Sequence, residues 1–351
     1  MLSMHSALLE VRLLANTNNM LSVSQKLSPK LFDHDVEMVP IRKGFGEGLL
    51  EAANLDPRVV GLCADLTEST QMHFFKNAFP KRFIEMGVAE QNLVTVASGM
   101  AAMGKIPFVT SYAMFSPGRN WEQIRTTIAY NDRPVKIIGS HAGISVGPDG
   151  GTHQALEDIA LMRVIPRMVV ISPCDAIEAR KATIAAAKTT DPTYIRLARE
   201  KTPIITSEES SFEIGKANVL FQPVTGVVDI AIFVTGALVH NAILAARILE
   251  KDKIGITVVN ISTIKPLDES TILRVVRGAK AVLTVEEHQI AGGMGSAVAE
   301  FLGANFPIRI ERLGIRDEFG QSGTPVELIK YFSLDEVGIV NATRALIKKS
   351  A

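Results

Sequence analysis

Cysteine is scarce: only Cys63 and Cys174 occur in 351 residues. Two thiols inside apolar, strand-like runs exclude a disulfide framework and a thiolate metal site, and they suit a reducing cytoplasm. An excess of charge of either sign is missing too. Lys plus Arg number 37 and Asp plus Glu number 37, so no field that would draw in nucleic acid or anionic lipid is built in. Aromatic residues make up 6%, and no apolar run approaches the ~20 residues that a membrane-spanning helix needs. The longest, such as Ile230 to Val234 and Ile256 to Ile261, are strand-sized. What remains is 47% hydrophobic and 21% charged residues, the balance of a packed globular protein rather than a disordered one. At roughly 150 residues per domain, the length calls for about two domains.

Residues 1–36 have Leu-rich, helix-like spacing, little Arg and an interrupting Glu10. They read as a frayed N-terminal extension, residues 1–37, rather than as a transit peptide. From Met38 onward apolar strand-like runs alternate with helix-like stretches, the pattern of parallel sheets covered by helices. The fold class is therefore α/β. In residues 38–205 the strands fall at 59–64, 106–111, 135–140, 168–172 and 193–197, with helices at 90–103, 120–131, 157–163 and 175–188. Residues 206–226, rich in polar residues and containing a proline, lose the rhythm and form a linker or an antiparallel excursion. The alternation resumes in residues 227–351, giving a second, smaller doubly wound sheet.

Three stretches carry polar groups with chemical reach. In the first, residues 82–104, an apolar strand ends near Gly87 and a helix of small residues opens at Glu90. An acid in a first turn complements the helix dipole. The small residues that follow permit close approach of another surface, which would bury this carboxylate where it could act as acid or base. In the second, residues 140–158, four glycines and a proline carry His141, Asp149 and His153 on one loop after a strand, where α/β folds bind ligands. Imidazoles there could exchange protons near neutral pH. The offsets match no standard metal-ligand spacing. The third is dispersed: Arg42, Ser69 and Arg199 are suited to a terminal phosphate. Gly292, Gly293 and Gly295 give a weak match to a phosphate-cradling turn, lacking the full GxGxxG spacing.

The motifs ADLTEST, GVAEQN, GPDGGTHQ and EEHQIAGGMGSA, in this order along residues 38–351, resemble the pyrimidine-binding and C-terminal domains of transketolase. The GDG motif that opens the diphosphate- and magnesium-binding half of that family is missing. The resemblance therefore implies the C-terminal subunit of a split transketolase. Thiamine diphosphate would be shared with an N-terminal partner subunit that holds the Mg2+, in an assembly of two plus two chains.

By the same resemblance, Glu90 matches the glutamate that hydrogen-bonds the aminopyrimidine ring. Tyr112 and Phe115 match the aromatics it stacks on, and Asp65 an acid lining the cofactor pocket. Gly118 stands where the family often has a third aromatic. Asp149 and His153 match residues that contact the donor sugar, His153 being placed for proton transfer at the carbonyl-derived oxygen. Arg42, Ser69, His141 and Arg199 match the sugar-phosphate site. The implied reaction moves a two-carbon glycolaldehyde unit from a ketose phosphate to an aldose phosphate. Two related readings share these domains: part of a 1-deoxyxylulose-5-phosphate synthase, and the β subunit of a 2-oxo acid dehydrogenase. The Asp and His of GPDGGTHQ argue against the dehydrogenase.

Overall fold

A computed structural model describes residues 20–350. Residues 1–19 of the expected extension lie outside the described residues. Among the described residues fourteen strands run in chain order: β1 (Met38–Pro40), β2 (Val59–Cys63), β3 (Phe83–Glu85), β4 (Ile106–Tyr112), β5 (Lys136–Ser140), β6 (Val169–Ile171), β7 (Thr193–Arg196), β8 (Lys201–Pro203), β9 (Asn218–Phe221), β10 (Ile230–Val234), β11 (Ile256–Asn260), β12 (Thr263–Lys265), β13 (Ala281–Gln289) and β14 (Ile310–Ile315).

The first sheet has the order β12-β6-β7-β5-β4-β2-β3 and the second β14-β13-β10-β11-β9. Both are parallel except at one edge, where β12 and β9 run antiparallel. Every residue of β2, β5, β10 and β11 is buried. Parallel strands are covered by helices on both faces, so they read as unbroken apolar runs, and this is why the sequence reveals them. The strands β1 and β8 pair antiparallel, Met38 opposite Pro203, and so tie the start of the first sheet's segment to its end.

The two sheets are packed together. The strand β12 comes from the second half of the chain yet extends the first sheet, with Thr263 opposite Ile171. One apolar cluster joins Leu62 and Val109 of the first sheet to Phe233 and Val282 of the second. On one face of the first sheet, helix Ile41–Leu55 lies against helix Ala176–Ala187. A Cβ at Gly44 would sit 1.8 Å from the carbonyl oxygen of Ala176, and one at Gly48 2.6 Å from that of Arg180. These glycines set the distance between the two helices.

Residues 20–37 correct the expectation of a frayed extension. Met20 and Leu31 are buried in the core of the second sheet's domain. The amide of Ser22 donates to the carbonyl of Leu220 at 3.0 Å, and that of Ser28 to Ile205 at 2.8 Å. Leu21 and Leu27 pack against the same core.

The strand β13 runs on past its apolar residues to Gln289. Its last residues, Glu286, Glu287 and His288, are charged types that are nonetheless buried. Each has an internal partner. Glu286 accepts from the backbone N–H groups of Met294 at 2.6 Å and Gly295 at 2.9 Å. Glu287 accepts from the N–H of Ser145, and His288 Nδ1 lies 2.7 Å from the carbonyl oxygen of Gln289. The glycine turn before helix Met294–Asn305 is thus filled by a carboxylate of the same chain. This corrects its reading as a phosphate cradle: an anion does sit at this helix start, and it is Glu286.

Candidate functional site

The parallel strands of the first sheet end at a common edge, the position where open α/β sheets place ligands. Tyr112 ends β4, His141 follows β5, Asp65 lies just past β2, and Arg199 follows β7. The sequence-selected residues fall into two groups along this edge.

The first group surrounds Glu90, the first residue of helix Glu90–Ala102. Its side chain is 3% exposed. Ser111 Oγ donates to its Oε1 at 3.3 Å. The guanidinium of Arg119 donates from Nη1 to both carboxylate oxygens, each at 3.1 Å. Asn120 holds the backbone carbonyl of Glu90 at 3.0 Å. Val88, Ala89, Gln91, Asn92 and Arg119 line an open depression around the carboxylate. Phe115 lies on the far side of Arg119, whose guanidinium carbon sits 4.1 Å from the ring centroid. Tyr112 and Phe115 are nearly parallel, 17° apart with centroids at 6.0 Å. The other sequence-selected position here, Gly118, has no room for a side chain in this loop, since a Cβ would lie 1.9 Å from the carbonyl oxygen of Met114.

The second group is the loop after β5. His141 is 2% exposed, and its ring stacks on Tyr112 at 3.9 Å. Tyr112 therefore spends one face on His141 and links the two groups. Burial, reinforced by the cationic Arg42 and Arg199, pushes the His141 imidazole down to about 3. At that value the ring is neutral at physiological pH. Its Nδ1 is 2.8 Å from Ser140 Oγ, which leaves Nε2 for a ligand. His153 turns its ring edge toward Phe115 at 5.4 Å and its Nδ1 toward Thr152 Oγ1 at 2.9 Å.

Arg42, Ser69 and Arg199 do come together. Arg42 donates to the backbone carbonyls of Ser69 and, at 3.0 Å, of Arg199. Arg199 donates to the Val146 carbonyl at 2.6 Å and meets the exposed Asp149 at 3.5 Å. Burial and the neighbouring Arg199 charge lower the Arg42 guanidinium from its usual value. Arg199 also meets Glu200 at 3.5 Å, so the two cations lie beside two carboxylates. Asp65 is exposed, with φ +57°. Its backbone N–H donates to Glu85 at 2.7 Å.

Sequence reasoning missed the residues that hold this loop. Gly143, at φ +86°, lies so close to Glu287 that a Cβ would fall 2.4 Å from its carboxyl carbon. The Glu287 carboxylate then receives the Ser145 N–H. Gln154 donates to Ile144, Gly147 and Gln321 carbonyls at 3.2, 3.3 and 2.8 Å. Beneath them Arg196 pairs with Asp158 at 2.9 Å, both side chains being almost fully buried, and donates to the Glu287 carbonyl at 2.8 Å. Tyr194 adds a 2.7 Å bond to Asp158, and burial together with that carboxylate pushes its phenol well up. The loop bearing His141, Asp149 and His153 is therefore held jointly by Gln154 and Arg196 of the first half and by Glu287 and Gln321 of the second. The missed signal was EEH, which placed three ionisable groups at the end of an apolar strand.

Comparison with known proteins decides the family. Residues 37–204 match the transketolase pyrimidine binding domain and residues 215–339 the transketolase C-terminal domain. A putative transketolase C-terminal section from Methanocaldococcus jannaschii is 44% identical, over 88% of this chain and 96% of that protein. The chain belongs to the transketolase family. A 6-deoxy-6-sulfo-D-fructose transketolase subunit from a Clostridium species is 39% identical, over 91% of this chain and 98% of that one. Among solved structures, a split gene transketolase described as an inactive beta4 tetramer superposes with a TM-score of 0.82 at 39% identity. It covers 89% of this chain and 100% of its own. The family implies thiamine diphosphate.

Proposed function

We propose that this transketolase-family chain is the C-terminal subunit of a split transketolase, acting in the cytoplasm. It transfers a two-carbon unit between sugar phosphates only when joined to an N-terminal subunit. The observation that carries the reading is the buried Glu90 residue at an open depression, with the Arg119 guanidinium between its carboxylate and the Phe115 ring. These residues fit the pyrimidine end of thiamine diphosphate, since the carboxylate can share a proton with a ring nitrogen while an aromatic face supports the ring. Asp65 would line the same cleft. Among the described residues no group of three or more His, Cys, Asp or Glu side chains could hold a metal ion. The Mg2+ and the diphosphate are assigned to the partner, in a particle of two plus two chains. The similar proteins named as a C-terminal section and as a subunit support this division.

When bound, thiamine diphosphate supplies the electron sink for carbon–carbon bond cleavage and formation. The rest falls to side chains of this chain. Glu90 holds and orients the aminopyrimidine. Arg42 and Arg199, with Ser69, hold the sugar phosphate through charge-assisted hydrogen bonds. Neutral His141 offers Nε2 as a hydrogen-bond partner. Asp149 accepts from the hydroxyl next to the substrate carbonyl, and His153 holds or delivers a proton at the carbonyl-derived oxygen.

Mixing the chain with its partner, thiamine diphosphate and Mg2+ tests the proposal. Transfer from xylulose 5-phosphate to an aldose phosphate is expected from the mixture, and none from the chain alone. Full activity of the isolated chain, or consumption of pyruvate with glyceraldehyde 3-phosphate in place of sugar transfer, would overturn it. The latter would favour the synthase reading, and a panel of sugar phosphates and sulfosugars would set the donor.

A further inference from the structure

Arg119 was not singled out by any motif, yet its guanidinium holds both of the groups that the proposed function assigns to the cofactor's pyrimidine. It donates to both oxygens of Glu90 at 3.1 Å and covers the Phe115 ring at 4.1 Å. The Glu90 side chain is 3% exposed whereas that of Arg119 is 48% exposed. The carboxylate is fixed in the fold, held by Ser111 and by Asn120 on its backbone, and the cation is the partner free to leave. An ionised carboxylate buried without a counter-ion is costly. A planar guanidinium is suited to stand in for a flat, hydrogen-bonding ring, because it combines stacking with forked donors.

Resting on that reading of Glu90 and Phe115, we infer that Arg119 is a placeholder for the aminopyrimidine. It holds the Glu90 carboxylate aimed before the cofactor arrives, and it must swing out for the ring to enter. Arg119 is thus a positioning residue that competes with cofactor binding. Its loss should strengthen that binding because the apo state loses its stabilising ion pair.

The test is calorimetric titration of thiamine diphosphate, with Mg2+, into the assembled two-subunit complex carrying Arg119→Ala, Glu90→Gln or neither. Arg119 is on the surface, so its replacement leaves the core intact. Removal of a half-exposed ion pair should tighten cofactor binding by about fivefold, while Glu90→Gln should weaken it. Unchanged or weaker binding by Arg119→Ala, with Glu90→Gln still weakening it, would overturn the placeholder role and leave the reading of Glu90 standing. Unchanged binding by Glu90→Gln would remove the reading itself, and the inference with it.

Discussion

The Glu90 corner and the His141–His153 loop lie along one edge of the same sheet, yet they are held in opposite ways. The loop is fastened from beneath by a buried network: Glu287 on the Ser145 amide, Gln154 on three carbonyls, and Arg196 between Asp158 and the Glu287 backbone. The Glu90 carboxylate opens onto a surface depression, and its charge is balanced by one half-exposed guanidinium. The contrast separates what this chain organises by itself from what it offers to a ligand. The side proposed for the sugar phosphate is preorganised by the network behind it, whereas the side proposed for the pyrimidine would exchange its counter-ion.

The largest effect that sharpens this contrast is expected at Glu90. Glu90→Ala should lower transfer by the reconstituted enzyme about a thousandfold, within the range for loss of a general acid or base. Its melting temperature should stay close to that of the parent, because the residue lies at an open depression. A near-normal rate would remove Glu90 from catalysis.

Next in size is Asp158→Ala. It strands the buried Arg196 and should destabilise the fold by about 3–5 kcal/mol, read by chemical denaturation. A change below about 1 kcal/mol, the value of an exposed pair, would show that the loop does not rest on this network. A smaller and more selective effect belongs to Glu287→Leu, which removes the acceptor of the Ser145 N–H. The sugar-phosphate KM should rise about tenfold, the order of a lost hydrogen bond to a charged group, with cofactor affinity unchanged. Glu287→Gln retains an acceptor and should recover most of the loss. Equal effects on both ligands would break the division between the two regions.

The smallest effect is a titration. With the His141 imidazole pushed down to about 3 by burial and two arginines, its NMR signals should not move between pH 5 and 8. Arg42→Ala or Arg199→Ala should shift its titration upward. The folded value lies below the unfolded value of about 6.5. His141 therefore contributes its stabilisation in full above pH 6.5 and loses it as pH falls toward 3. A titration near 6.5 in the parent protein would show the ring to be solvated rather than enclosed.

The alternation of apolar runs made most of the parallel strands legible, and helix Glu90–Ala102 begins at the residue the sequence marked. The residues of both groups were legible through short motifs, because chemistry constrains them locally. Relations between distant segments were not. The strand β12 joins the other half's sheet through a three-residue pairing with no apolar period of its own to announce it. Residues 120–131 were read as one α-helix, but the segment becomes a π-helix at Ile124–Ala129. There Thr127 bonds back to the Gln123 carbonyl at 2.6 Å and Ser98 takes the Thr127 carbonyl at 2.6 Å. The roles of Glu286 and Glu287 were not legible, because the amides they accept from lie 8 and 142 residues away. Arg119 escaped notice for the same reason, since an isolated arginine in a loop acquires meaning only from the carboxylate it meets, 29 residues earlier.

The most direct measurement is the structure of the assembled particle, this chain with its partner, thiamine diphosphate and Mg2+. The account expects the Glu90 carboxylate within hydrogen-bonding distance of the aminopyrimidine, with Arg119 withdrawn from it. A pyrimidine bound elsewhere, with Glu90 still clasped by Arg119, would contradict it.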